Sequence, residues 1–452
     1  MTAQVNLPLF TRKQLTRLIW PLLVEQLLSV LVGMVDVLMV SYVGEATVSG
    51  VSLVDSVNHL IIQVLFALTA GGTVVCARCI GAKDLDGARR SAGQLLTITT
   101  AAMLVLAALF LTVGRHILGL LFGTVEAEVM RNAEIYMRFT AASFPFLAIY
   151  HANAAIFRAK GNSKLSMLVS LGMNLLNIAG NAICIFGLGW GVEGVALPTL
   201  VSRMAAAVAM CFFLQSAKNE LRLISVKQFK PEGVILRQIL SIGVPGSVES
   251  GLFNLGKVLL QSLVSTLGTA SIAAYAVAGN LVTYLYLPGN ALGTAITTVV
   301  GQCSGAGEPE QAKQYTKKLI VLNYIMLVPI CAALIIWRDF WVGLYHLSAG
   351  SAELAAGLLL AHALAMVLWP VAFLLPYNFR ATGRATFSML VAVGAMAVFR
   401  IGGAYLFVML LGKNVLWVWY AMFIDWVFRI AVFIPAFKKG KSIHATAFTQ
   451  NI

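Results

Sequence analysis

Charge is what this sequence has least of. Only 11% of its 452 residues are Asp, Glu, Lys or Arg, whereas 59% are apolar, a balance outside the range of water-soluble folds. Cysteine is scarce too: Cys76, Cys79, Cys184, Cys211, Cys303 and Cys331 all fall in apolar stretches, where a free thiol behaves as a small hydrophobe, so no disulfide framework is implied. Cys76 and Cys79 have a CxxC spacing but no second pair or histidine cluster to complete a metal or redox site. The six histidines show no ligand spacing, and no phosphate-binding glycine loop, nucleophile elbow or HExxH occurs. ATP hydrolysis and ordinary enzymology therefore lack support, no cofactor is expected, and any work must draw on an ion gradient. An intramembrane enzyme would need a nucleophile-base or metal constellation at mid-bilayer, and none is visible.

What the chain does have is long apolar runs. A helix needs roughly 20 apolar residues to cross the hydrocarbon. Spans are predicted near 15–43, 51–79, 91–114, 133–157, 165–187 and 193–216, then 237–267, 271–300, 316–337, 353–379, 385–411 and 414–437. The first run is too long for a cleavable signal peptide and is expected to remain. The net charge of +14 sits in short clusters between these runs, which excludes a nucleic-acid face and supplies topology signals. With the N-terminus inside, 23 of the 32 Lys and Arg residues, Arg158 and Arg380 among them, fall in cytoplasmic segments. Both termini are thus expected in the cytoplasm of a prokaryotic plasma membrane.

An internal repeat organises the chain. An offset of 224 pairs Pro21 with Pro245, Glu25 with Glu249, Gly44 with Gly268 and Cys79 with Cys303 without a gap. An offset of 222 then pairs 157–161 (FRAKG) with 379–383 (FRATG), and 166–169 (SMLV) with 388–391 (SMLV). Six spans is an even number, so the halves are parallel repeats about an axis along the membrane normal. The expected layout is an N-terminal lobe over 1–217, a basic cytoplasmic linker over 218–236, a C-terminal lobe over 237–437 and a cytoplasmic tail over 438–452.

The residues 33–36 (GMVD) followed by Val43-Gly44, the link 187–194 (GLGWGVEG), Pro245 with Glu249 and the duplicated Gly81 and Gly305 loops resemble the multidrug and toxic compound extrusion (MATE) family, part of the wider multidrug, oligosaccharidyl-lipid and polysaccharide exporter superfamily. The resemblance covers essentially the whole chain. It implies an all-α membrane protein of about twelve helices in a V-shaped pair of six-helix bundles, exporting organic cations against sodium ions or protons. It also puts coupling groups at the matching positions of spans one and five. The chain departs from the family at Asn181, where many members carry an aspartate, and at Pro198, where they carry a small residue.

Charges inside hydrocarbon cost roughly 2.5–3.5 kcal/mol each on insertion scales, so those retained there need a partner or a purpose. In span one, Glu25 and Asp36 lie three helical turns apart on a similar face. Asn174, Asn177 and Asn181 line one stripe of span five, and Arg203 lies near the middle of span six. Asp36, Asn177 and Asn181, with Asn174 on the same stripe, are expected to form an oxygen-rich site for a sodium ion or proton, with Arg203 modulating the carboxylate. The alternative is that the asparagines are interhelical glue and Asp36 pairs with Arg203. No other metal site is expected.

In the second half, Glu249, Lys257, Arg400, Asp425 and Arg429 are the intramembrane charges, with Asp425 and Arg429 spaced to neutralise each other. Glu25, Glu249, Lys257, Tyr275, Asp425 and Arg400 are the candidates for a substrate cavity. Tyr275, Tyr284 and Tyr286 are set either to face lipophilic cations or to pack at the membrane interface. The leading functional reading is secondary active efflux of small, cationic, lipophilic molecules by a monomer in the bilayer. A flippase for a lipid-linked precursor is the rival, and it would be expected to line its cavity with arginines.

Overall fold

In hydrocarbon, every backbone N–H and C=O must be satisfied within the protein, which forces the apolar runs into helix. The structure is a computed structural model that describes residues 8–217, 219–223 and 225–440. Position 218 of the expected linker and the tail from 441 onward lie outside the described residues, which contain no strand. Spans one to six are Arg12–Ser41, Glu45–Gly81, Leu85–Phe122, Ala127–Ala159, Ser163–Gly187 and Glu193–Gln215. Spans seven to twelve are Gly233–Ser265, Thr269–Gly305, Pro309–Ile336, Ala349–Ala365 with Trp369–Ala381, Ala385–Leu411 and Leu416–Lys438. The two pieces of span ten meet at a 55° bend.

By length and composition alone, nine of these segments, or ten with the bent pair, are apolar enough to cross a bilayer. The other two, Ala127–Ala159 and Gly233–Ser265, are each 33 residues long but diluted by charged side chains. Most helices run past the apolar windows because caps, rather than hydropathy, set helix ends. Thr11 and Gln14 form a reciprocal capping box before span one, and Asp84 Oδ1 accepts the Gly87 N–H at 2.8 Å before span three.

The repeat is visible in the backbone. Span two, Glu45–Gly81, and span eight, Thr269–Gly305, are related by the same offset of 224 at both ends. Each is preceded by a glycine at positive φ, Gly44 at 135° and Gly268 at 96°. Gly161 at 87° and Gly383 at 85° close the two FRAxG turns in the same way.

The chain divides into two compact units, one covering Phe10–Gly243 and the other combining the chain from Val244 onward with the N-terminal residues through Leu9. In the first, spans two, three, four and six pack together and span one lies against span five. The division falls inside span seven rather than in the 218–236 stretch assigned as linker. Hydrogen bonds explain the difference. Gln94 of span three donates to the carbonyls of Gln228 and Lys230 at 3.1 and 2.6 Å and accepts the Glu232 N–H at 3.0 Å. Arg89 donates to the Glu220 carbonyl at 3.0 Å. At Gly93 a Cβ would sit 2.2 Å from the Gln228 carbonyl oxygen, so the residue must be glycine for the segment to lie that close. The stretch is therefore strapped to the first unit.

Candidate functional site

The stripe of asparagines on span five faces span one. Asn181, fully buried, donates from Nδ2 to Asp36 Oδ1 at 3.1 Å and to Asn177 Oδ1 at 3.3 Å, while Asn177 Nδ2 donates to Thr199 Oγ1 of span six at 3.2 Å. Both hydrogens of the Asn181 amide are thus used. Its carbonyl oxygen is buried with no donor, an arrangement that costs about 1–3 kcal/mol unless something fills it.

Asp36, Asn177 and Thr199, but not the more deeply buried Asn181, line a cavity of about 240 Å³ in the first unit, together with Asn174, Ser52, Asp55, Tyr136 and Arg203. Asp55 is open to it, and Asp36 is half-buried. Arg203 donates from Nη1 to Ser143 Oγ at 2.7 Å rather than closing an ion pair on Asp36. It remains near enough to act electrostatically on Asp36, Asp55 and Tyr136. Two carboxylates and one guanidinium therefore share one cavity with several hard oxygen donors, the set that suits a proton or a sodium ion.

Sequence reasoning missed Asp55 and Tyr136. Asp55 stands near the start of the apolar run, where a charge reads as the edge of a span. The helix begins ten residues earlier, at Glu45, and this carries Asp55 past its first two turns. Tyr136 lies in span four, whose charged residues mask its periodicity.

The two glutamates linked by the repeat have a different fate from the one expected. Glu25 Oε1 lies 3.5 Å from Arg158 Nη1 and Glu25 Oε2 accepts from Ser166 Oγ at 3.4 Å, while Glu249 Oε2 lies 2.8 Å from Arg380 Nη2. Both arginines come from the FRAxG motifs counted as loop charges, yet Arg158 is only 7% exposed and sits inside span four. The repeat has duplicated a whole ion pair. Both glutamates are thus ion-paired rather than left free to draw cationic cargo, and Glu249 also borders a separate cavity of about 120 Å³ with Phe253 and Met396.

Asp425 drops out of the cavity set. It is fully buried between two arginines: Arg429 Nε donates to its Oδ1 at 2.7 Å, and Arg400 Nε lies 3.2 Å from Oδ2 without an aligned hydrogen bond. Arg429 also donates to the Ala392 carbonyl at 3.1 Å. The expected pair with Arg429 is present, and Arg400 is an unanticipated third member. Arg400 sits on a π-helical stretch, Met396–Gly402, a distortion frequent at functional sites. The other candidates come together in the second unit. Lys257, Tyr275 and Arg400 line a chamber of about 570 Å³ with Phe253, Tyr286, His362, Trp369, Trp419 and Trp426, whereas Tyr284 stays outside it.

Two repeated units of long apolar helices, each holding a cavity with charged side chains in its wall, define a polytopic membrane protein. The MatE family model matches twice, over residues 21–183 and 245–406, once in each half. The chain belongs to the MATE family of transporters. It is 26% identical over 430 residues to the uncharacterized transporter YisQ of Bacillus subtilis, covering 92% of both chains. It is 24% identical over 434 residues to the probable multidrug resistance protein NorM of Thermotoga maritima, covering 95% of this chain and 93% of that one. A crystal structure of a MATE in the bent conformation superposes with a TM-score of 0.88 at 22% identity, covering 97% and 96% of the two chains.

Proposed function

We propose that this protein exports small organic molecules, coupling their outward movement to the inward flow of a proton or sodium ion bound at Asp36. The observation that carries the reading is Asp36, which lines the first-unit cavity together with Asp55 and Asn177 and is held from behind by the buried Asn181 amide. A carboxylate in hydrocarbon is costly to keep ionised, so loading a cation there lowers that cost and unloading restores it. The ion can therefore bias one conformation over another, as a ligand must do to drive a transition. Multidrug efflux is supported by the family and by the name of the Thermotoga relative. The orientation with both termini cytoplasmic, in a prokaryotic plasma membrane, and the monomeric state belong to the same proposal.

The test follows a fluorescent organic substrate in everted vesicles under an imposed pH gradient without sodium, then under a sodium gradient. Gradient-driven movement in the wild type that is lost in Asp36→Asn at equal expression is the expected result and names the ion. Full activity in Asp36→Asn removes the coupling site, and no movement under either gradient removes the antiport reading.

A further inference from the structure

The chamber of the second unit has the opposite polarity to the cavity of the first. No Asp or Glu lines it among the described residues, and its two formal charges are Lys257 and Arg400. Both cations lie over the same ring, Phe253, each 5.1 Å from its centroid. Lys257 is exposed to the chamber and has no acidic partner among the described residues. Arg400 has half a partner, because Asp425 is shared with Arg429, and Arg429 takes the aligned hydrogen bond. Two arginines, one aspartate and Lys257 leave an excess of two positive charges at one end of a low-dielectric space.

The rest of the wall is aromatic. Tyr275 and Trp419 meet edge to face at 6.3 Å, and Trp419 packs against His362 at 4.9 Å. Aromatic walls often hold cations on their ring faces. Here the face of Phe253 is already occupied by the protein's own cations, so an incoming cation adds repulsion and an incoming anion relieves it. The wall also holds a donor in want of an acceptor: Trp426 Nε1, which can only donate, is buried without a partner. His362 lies beside it, with Nε2 at 2.9 Å from the Tyr286 hydroxyl.

We propose that the second-unit chamber is a binding site for an organic anion with a planar aromatic body, its acidic group set against Lys257 and Arg400 and its rings against Tyr275, Trp419 and their neighbours. The volume suits a small amphipathic ligand. The inference rests on the transporter reading for its meaning, as the cargo class of this chamber, but binding can be measured at equilibrium with no gradient, where a failure of coupling has no effect.

The experiment titrates the full chain in nanodiscs with three probes that share one ring system: naphthalene-2-sulfonate, its trimethylammonium counterpart and 2-naphthalenemethanol, read by quenching of tryptophan fluorescence. The expected order places the sulfonate at least about tenfold tighter than the ammonium. Lys257→Gln should weaken the sulfonate about fivefold to tenfold and leave the neutral alcohol unchanged, and Lys257→Glu should reverse the order. An ammonium probe that binds as tightly as the sulfonate, or a probe order indifferent to Lys257→Glu, overturns the proposal. Because Lys257 is exposed and makes no ion pair, its variants should fold, and a thermal melt matching the wild type checks this. Farnesyl phosphate that outcompetes the sulfonate would overturn the aromatic half of the proposal and indicate a lipid-linked ligand instead.

Discussion

The two units descend from one repeat, yet their interiors have diverged at positions that correspond residue for residue. At the offset of 224, Asp36 of the first unit becomes Leu260, Asp55 becomes Gly279, and Gly33 becomes Lys257. Where the first unit has two carboxylates the second has Leu260 and Gly279, and where the first has a glycine the second has Lys257. What both units retain is the Glu–Arg pair between spans one and four and between spans seven and ten. Duplication has preserved the ion pair that holds the helices and released the cavity residues to specialise. In the reading proposed above, the first unit supplies the coupling chemistry and the second a different recognition chemistry.

The largest effect should separate these two roles. Asp36→Asn is expected to bring gradient-driven efflux to background for every substrate, whereas Lys257→Gln should keep coupling and change only which substrates move. Vesicle transport with a panel of charged and neutral probes checks both, and equal losses in the two variants would erase the division of labour. Next in size is Asp425→Ala, which strands Arg400 and Arg429 as buried charges and should cost about 3–5 kcal/mol, read as thermal stability in detergent. Asp425→Asn should cost less, since the amide oxygen still accepts from Arg429.

The conserved pair gives a finer comparison. Arg380→Ala should destabilise more than Arg158→Ala, because Glu249 meets its arginine at 2.8 Å and Glu25 meets its own at 3.5 Å with Ser166 as a second support. The double reversal Glu249→Arg with Arg380→Glu should recover part of the loss, and no recovery would mean that the pair acts through packing. Smallest is Asn181→Ala, whose two lost hydrogen bonds should cost about 0.6 kcal/mol of stability each while weakening ion coupling more than that figure suggests. Asn181→Asp, which adds the carboxylate common in the family, should retain coupling, with the ion dependence of transport as the readout.

Much of this was legible in the residues. Asn174, Asn177 and Asn181 could be grouped because helical spacing puts i, i+3 and i+7 residues on one face, and helix is the form open to an apolar run in lipid, whereas the family resemblance joined Asp36 of span one to them. Asp55 escaped because a hydropathy window reports where hydrocarbon-like residues begin, and the helix starts earlier, at a cap. Arg158 and Arg380 were misplaced because an arginine at the end of a span counts as a loop charge unless its acidic partner on another helix is known.

Composition, periodicity and the self-match of the chain thus determined its class, twelve spans and two repeated halves by themselves, since these depend on the local solvent and on comparison of the sequence with itself. Pairing was decided only by tertiary structure. Which charge neutralises which depends on distances of a few ångströms between helices far apart in the chain, and that pairing left Asp36 and Asp55 to one cavity and Lys257 and Arg400 to the other.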